Sequence, residues 1–378
     1  MFLGAHLTLL IGPTILAPAP ESIARSIEQV SVTQSETSSS GFQVTFKVGR
    51  DMFTGWAGYQ PLLTQQIKAG HRVALVVRLG LVPFVLIDGF IDNVQLSPGA
   101  DPGTSTLTIS GSDVSAMMEL VESQTQWPNH SRYLIVQQIL LRYAALMTPI
   151  AIPPRIDPPM PMTDGAPSTS GNDLAVVRSL AEQVGYIFSV RPGVVPGQNF
   201  AYWGPQFPGT PPQSALSFRM GPATNLSSIQ FQQKANVPAV ALGLIQESNT
   251  GAPLPVVGIP PPPMMGLVPS WAGGAPLVRI RSAETDEGGD IVLALDRASA
   301  QLAIENRNAI TASGELDVLR YGRPLIAGLT VGVRGVGTTN DGLWKCTSVT
   351  HTIGRGSYKQ SFQLERDATI SNTPVVMP

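Results

Sequence analysis

A β-hairpin pattern that occurs twice, once near each end of the chain, constrains the fold more than any other feature. Residues 31–51 and residues 348–367 each read as a strand, a turn rich in Gly or Ser, and a second strand with alternating apolar positions. With one residue of slip in the turn, the matched positions are Ser31-Val32-Thr33 with Ser348-Val349-Thr350, Phe42 with Tyr358, Phe46 with Phe362, Val48 with Leu364, and Arg50-Asp51 with Arg366-Asp367. The match predicts two copies of one β unit, which is an architectural feature before it is a catalytic one.

Length and charge limit the classes of protein that this chain can belong to. At 378 residues and 40.0 kDa it is too long for one compact core, so two or three domains are expected. Hydrophobic residues make up 43% of the chain and charged residues 13%, which predicts a globular protein. The formal net charge of −2 provides no basic surface for nucleic-acid recognition, and a near-neutral chain with few charges is inclined to associate with other subunits.

Two apolar stretches resemble membrane or export segments but are interpreted differently. The N-terminal stretch has no Lys or Arg before Arg25 and is interrupted by Gly12-Pro13, so it is interpreted as a strand from Leu7 to Ile11 and not as a signal peptide. The second stretch, Val73 to Ile91, contains Arg, Pro and an Asp-Gly pair, which predicts two strands and a turn. No membrane span is expected, and synthesis in the bacterial cytoplasm without a signal peptide is expected.

The order of strand and helix signals predicts a mainly β fold with an α+β insert. The predicted parts are a first antiparallel β-barrel over 1–115, an α/β insert over 116–212, a second and discontinuous barrel over 213–246 and 316–378, and a Pro-rich loop with a helix over 247–315. The two barrels are expected to be small and related to each other because they contain the two hairpins. The Pro-rich part is expected to be polyproline II or irregular loop.

Three helices are predicted from capping residues and an apolar stripe. They run from Ser131 to Met147 with a stop at Thr148-Pro149, from Asn172 or Asp173 to Gly185, and from Arg297 to Thr311 with Asp296 at the N-terminal dipole. A further strand is predicted from Leu316 to Arg320.

The residues that usually carry chemistry do not form a constellation. The histidines are scattered singly and no H-E-x-x-H, nucleophile-elbow or phosphate-loop motif is present, so no catalytic, cofactor-binding or metal-binding residue is predicted. Cys346 is the only cysteine and is expected to be a buried structural thiol. His351, which aligns with Gln34, fits a polar strand position better than a catalytic base. Residues 331–337 are interpreted as a strand that enters a glycine turn.

The second hairpin also resembles a known family. The segments Asp341-Gly342-Leu343-Trp344, Ser348 to His351 and Gly356 to Arg366 resemble the C-terminal signature of the baseplate hub proteins of contractile phage tails and contractile injection systems. This is the phage late control protein D family, which is related to the hub portion of type VI secretion spike proteins. Asp88-Gly89 and Gly111-Ser112-Asp113 are similar to the first barrel of that family.

The resemblance implies a fold, a function and a set of partners. The implied fold has two small antiparallel barrels of the tube-protein type plus α/β insertions. The implied function is structural and not enzymatic: a homotrimeric hub that joins the hexameric inner tube, or a tube-initiator protein, to a trimeric central spike within a virion baseplate or injection particle. Baseplate wedge proteins would be further partners. Because only eleven residues follow Asp367, the spike is expected to be a separate chain.

The sequence predicts a set of core residues and a partner-facing loop, and it leaves two alternative functions open. The predicted barrel core and signature residues are Phe42, Phe46, Trp344, Tyr358, Phe362 and Leu364, and the candidate partner-facing loop contains Met264, Met265 and Trp271. A tail-associated cell-wall hydrolase remains an alternative that a carboxylate pair in a cleft would favour. A carbohydrate-binding β protein remains another, which an exposed row of aromatic residues would favour.

Overall fold

The computed structural model of the chain shows a mainly β architecture, which confirms the predicted fold class. It describes residues 4–48, 67–100, 104–159, 168–206, 211–234, 238–246, 252–270, 272, 279–282 and 291–370. Arg50, Asp51 and Trp271 lie outside these ranges. The helices are α1 Glu21–Ser26, α2 Arg132–Arg142, α3 Asp173–Gln183, α4 Ile291–Arg307 and α5 Val318–Tyr321.

The strands are numbered in chain order. They are β1 Ala5–Gly12, β2 Ala17–Pro18, β3 Ile27–Ser35, β4 Gly41–Lys47, β5 Arg72–Leu79, β6 Val82–Ser97, β7 Thr106–Asp113, β8 Glu122–Gln126, β9 Thr148–Ala151, β10 Ser168–Asn172, β11 Ile187–Pro192, β12 Asn199–Gly204, β13 Gln213–Ser217, β14 Leu226–Gln233, β15 Pro238–Gln246, β16 Pro253–Gly258, β17 Val268–Pro269, β18 Arg279–Ser282, β19 Ile310–Asp317, β20 Thr330–Arg334, β21 Gly342–Gly354, β22 Ser357–Arg366 and β23 Ala368–Thr369.

One sheet of 13 strands contains both predicted β units. Its order is β14-β19-β22-β21-β3-β4-β7-β6-β5-β1-β2, and β20 pairs with both β21 and β13. The half with β1 to β7 packs around a core that includes Val44, Phe46 and Leu107. The other half packs around a second core that includes Trp344 and Phe362. The two halves are joined directly by the antiparallel pairing of β3 with β21.

The two hairpins keep the predicted inward face, because residues at alternate positions of β4 and β22 are buried. Their internal registers differ, however. Val32 faces Phe42 in the first hairpin, whereas Val349 faces Phe362 in the second. If the Ser-Val-Thr segments are equivalent, Phe42 corresponds to Phe362 and not to Tyr358. The predicted alignment is therefore wrong for one of the two strands of the hairpin.

The difference in register comes from the two turns. Strand pairing in the first hairpin ends at Thr33 and Gly41, whereas pairing in the second continues to Gly354 and Ser357. The tight second turn is possible because Gly356 has a φ of +79°, a conformation that residues with a Cβ rarely adopt. Inward positions recur at every second residue, so a shift of the strand pairing by an even number of residues leaves the same residues buried. The sequence pattern therefore does not reveal the shift.

Capping residues position the first two predicted helices. The Ser131 hydroxyl accepts a hydrogen bond from the Leu134 amide at 3.4 Å, and the Asn172 side chain accepts one from Ala175 at 2.8 Å. Helix α2 ends at Arg142 and not at Met147, and Thr148–Ala151 forms a strand beside β12. In the described ranges, no helix has the length and apolar character that crossing a membrane requires.

Residues 238–321 differ most from the predictions. Strand β15 pairs with β16 and β18 in a small separate sheet and not with the second barrel, so part of the Pro-rich segment is strand. Helix α4 begins at Ile291, which places Asp296 inside the helix and not at its start. The predicted strand from Leu316 to Arg320 is instead the end of β19 followed by the single turn of α5.

Candidate functional site

A buried ionic junction, here called the Glu36 junction, connects the two sheet halves to the α/β insert. The Glu36 carboxylate lies 2.9 Å from the Lys345 ammonium and 3.5 Å from the Arg191 guanidinium. The Lys345 ammonium also donates to the carbonyl oxygens of Gln206 at 2.6 Å and Gly328 at 2.7 Å. Glu36 follows β3, Arg191 belongs to the insert and Lys345 belongs to β21, so the three parts of the chain meet at one carboxylate.

Burial determines the electrostatics of this junction. Burial lowers the pKa of Lys345, and the neighbouring Glu36 carboxylate opposes that shift. Burial, together with Glu36, raises the pKa of Glu365 to about 7, against the opposing effect of Arg307. The guanidinium of Arg191 has its pKa lowered by burial, with Glu36 again acting in the opposite direction. Removing any one charge would therefore leave the remaining buried charges less well compensated.

A second carboxylate, Asp88 in the Asp-Gly pair of β6, fixes the insert to the first sheet half. Its oxygens accept two hydrogen bonds from Arg72 at 2.8 and 3.0 Å. They also accept the amide of Gly197, in the loop between β11 and β12, at 2.8 Å and the side-chain amide of Asn199, the first residue of β12, at 3.2 Å. The neighbouring Gly89 allows β6 to lie close to β7, because a Cβ there would lie 1.9 Å from the Ser112 carbonyl oxygen.

Three polar residues on the inward face of the second hairpin, His351, Tyr358 and Gln360, are buried and hydrogen-bonded. His351 Nδ1 lies 2.8 Å from the Tyr358 hydroxyl and 3.0 Å from Gln360 Nε2, and burial lowers the pKa of His351 to about 3. Gln360 also bonds the amide and the carbonyl of Leu325, each at 2.9 Å. This arrangement holds a strand to a loop. In the described ranges, no three or more His, Cys, Asp or Glu side chains are grouped so that they can hold a metal ion.

The six predicted core and signature residues all lie in the interior. Phe42 and Phe46 belong to the first core and Tyr358 packs against it as well, whereas Trp344, Phe362 and Leu364 belong to the second core. The Trp344 indole donates to the Asn340 carbonyl at 2.9 Å, and the Arg366 guanidinium lies 5.5 Å from the Trp344 ring centroid. Cys346 is buried beside them, and burial raises the pKa of its thiol.

The end of β22 holds the proline-rich segment 260–265, here called the proline strap. The Asp367 carboxylate accepts the amides of Met264 at 2.7 Å and Met265 at 3.1 Å, and Arg366 donates to the Met265 carbonyl at 3.2 Å. The Met264 side chain is 60% exposed and is available to a neighbour, whereas that of Met265 is only 3% exposed. Met265 therefore anchors the strap, and the expectation that it faces a partner is wrong. Trp271 lies outside the described residues.

A cavity of about 180 Å³ lies between the proline strap and helix α4. Pro260 to Pro263 and Ala303 line it, together with Arg307, Glu365 and Asp367. Asp367 is a poor candidate for a catalytic base, because both of its oxygens already accept backbone amides. Of the two carboxylates that line this cavity, Glu365 and Asp367, the second is thus already bound to the backbone of the strap.

The outward surface of the large sheet is lined mainly by uncharged polar side chains, and is here called the polar face. One row runs across five adjacent strands through Ser228, Glu315, Ser361, Thr350 and Thr33, and a second row runs through Thr352, Ser31, Gln43, Ser110 and Asn93. The hydroxyls of Thr33 and Thr350 lie 3.1 Å apart where the two halves meet. Glu315 is the only charged residue in either row, and it is paired with Lys359 at 2.8 Å.

Comparison with known proteins places this architecture among tail proteins. No family model and no curated protein sequence matches the chain. The tail protein from Neisseria meningitidis MC58 has a TM-score of 0.66 at 14% identity, covering 96% of this chain and 97% of that one. The 43 kDa tail protein of prophage MuSo2 from Shewanella oneidensis has a TM-score of 0.64 at 14% identity, covering 97% of this chain and all of that one. The chain has the fold of phage tail proteins.

A third solved structure extends the likeness to secretion systems. The E. coli protein c3393, a component of the type VI secretion system described as structurally similar to T4 bacteriophage tail proteins, has a TM-score of 0.56 at 11% identity. The match covers 93% of this chain and 78% of c3393. The likeness therefore extends over most of the chain and is not confined to the two hairpins.

Within this tail-protein fold, sequence reasoning missed the Glu36 junction entirely. Glu36 carries no sequence signal of burial, because its neighbours Ser35, Thr37 and Ser38 are small and polar. Lys345 carried the only usable signal, since a lysine between Trp344 and Cys346 interrupts a strand that is otherwise apolar. A charge at such a position needs a buried counter-charge, but the sequence does not say which carboxylate supplies it.

Proposed function

We propose that this chain is the structural baseplate hub of a contractile tail or injection machine, a homotrimer that joins the hexameric inner tube to a separate trimeric spike. The observation that carries the proposal is the likeness to two tail proteins over nearly the full length of both chains. The proposed role is structural because the buried polar groups described above connect parts of the chain and do not converge on an open cleft.

The arrangement of the large sheet supports a role in matching symmetries. Each chain contributes two sheet halves with separate cores, so three chains supply six halves around one axis. A ring of six tube subunits can then be seated on one side and a three-fold spike on the other. Baseplate wedge proteins would contact the periphery, and the protein would reside in the virion baseplate or injection particle.

The chemistry of the polar face fits the wall of a water-filled channel through such a ring. Its rows of Ser, Thr, Gln and Asn remain hydrated, and they offer neither apolar area nor net charge to hold passing cargo. An interface between permanent subunits would instead have an apolar centre.

A particle reconstruction in which this chain is located tests the proposal directly. Three copies around the tail axis, with the tube on one side and the spike on the other, are expected. One, two or six copies would remove the symmetry argument and with it the role as a tube adaptor.

A further inference from the structure

The small sheet of β15, β16 and β18 packs one face against helix α4. The inward residues Ala241, Ile245 and Val256 are buried against the alanines and leucines of the helix. The approach is close, because a Cβ at Gly258 would lie 2.7 Å from the Ala298 side chain. The inner face is therefore a complete hydrophobic interface.

The small sheet is the outermost layer of this part of the molecule. Helix α4 contacts α3, and a Cβ at Gly185 just after α3 would lie 3.1 Å from the Ala300 side chain. The α/β insert thus covers one side of α4 and the small sheet covers another. Nothing in the described ranges of the chain covers the far side of the small sheet to a comparable degree, as the exposure of its residues shows.

That far side is apolar. Leu242 lies opposite Val257 in the strand register, and Ile280 lies on the neighbouring strand beside Val240. Leu244 is 65% exposed and Ile280 is 60% exposed. The residues called here the apolar patch are Leu242, Leu244, Val257, Ile259 and Ile280, all of which are exposed.

Strands with apolar residues on both faces are typical of sheets that are covered on both faces, whereas a sheet with one solvated face alternates apolar and polar residues. The large sheet of the same chain follows the second rule, with Ser, Thr and Gln on its polar face. β15 instead reads Pro-Ala-Val-Ala-Leu-Gly-Leu-Ile-Gln. The contrast within one molecule indicates that the small sheet is covered on its far side in the assembled protein.

We propose that a second copy of this chain covers the apolar patch, so that the patch is the centre of the contact between hub subunits; this inference rests on the proposed homotrimer. The patch exposes on the order of 500 Å², near the upper end for a monomer and more than half of one partner's share of a standard interface. Its lack of charge fits a permanent contact better than a transient one. In a three-fold ring the patch meets a different surface of the neighbour and not another patch.

A photo-crosslinking amino acid at position 244, in the full chain and within assembled particles, tests the identity of the occupant. A crosslinked product containing two copies of this chain is expected. A product containing only a different protein, or a crosslink within one chain, would overturn the proposal.

Charged substitutions test whether the contact matters for assembly. Leu244→Asp and Ile280→Asp should leave the fold intact because both side chains are exposed, and each should weaken self-association about 100-fold. Leu81→Asp is the matched control, because Leu81 is 96% exposed in the turn between β5 and β6 and should assemble normally. Normal incorporation of the two patch variants into particles would contradict the inference.

The two proposals fail in different ways. If the particle contains three copies but the patch variants assemble normally, the hub function is supported and the patch is not a contact between subunits. If copies of the chain crosslink through position 244 but the particle contains a number of copies other than three, the patch is a contact between subunits and the trimeric adaptor role is contradicted.

Discussion

Replacement of Lys345 by Met tests the Glu36 junction most directly. The substitution retains the length of the side chain but removes the ion pair to Glu36 at 2.9 Å and the two hydrogen bonds to the carbonyls of Gln206 and Gly328. Removing one partner of a buried pair typically costs about 3–5 kcal/mol, and Arg191 at 3.5 Å still offsets part of the charge of the buried Glu36 carboxylate. We therefore expect a loss of about 3 kcal/mol in the free energy of unfolding.

The loss is measured from the midpoint of urea unfolding followed by tryptophan fluorescence. The double variant with Glu36→Gln removes both charges and should recover at least about 1 kcal/mol relative to Lys345→Met. Lys359→Met is the matched control, because Lys359 pairs with Glu315 at a similar distance on the surface and should leave the midpoint unchanged. Equal midpoints for Lys345→Met and Lys359→Met would refute the view that the junction holds the three parts together.

Four further substitutions address the cores and the buried titratable groups. Phe46→Ala or Phe362→Ala should cost about 3 to 5 kcal/mol and prevent baseplate assembly, and wild-type particle yield with both would show that these strands face the other way. Folding raises the pKa of Glu365 from 4.5 to about 7, so its contribution to the free energy of unfolding is present below pH 4.5 and is lost as the pH rises through 7. Above pH 7, Glu365→Gln should therefore be more stable than the wild type in denaturation experiments repeated at a series of pH values. Burial lowers the pKa of His351 from 6.5 to about 3, so the wild-type protein loses stability as the pH falls from 6.5 to about 3. His351→Gln should lose less stability over the same pH range.

Local patterns predicted the fold class and many of its strands, because each depends on neighbours in the sequence. The alternation in β22 and the caps at Ser131 and Asn172 are of this kind. What the sequence did not provide was the pairing between distant parts, including the contact of β3 with β21 and the partner of Lys345. These depend on which surfaces meet after folding, and a period of two residues does not encode them.

The antiparallel pairing of β3 with β21 has a consequence for the ring. Antiparallel strands point in opposite directions, whereas the step of a six-fold ring turns any direction by at most one sixth of a circle. No such step exchanges the first strand of one hairpin for the first strand of the other. In the proposed ring, the first strands of the two hairpins would thus present two different orientations to the six tube subunits, so these two strands could not be the equivalent contacts of a six-fold arrangement.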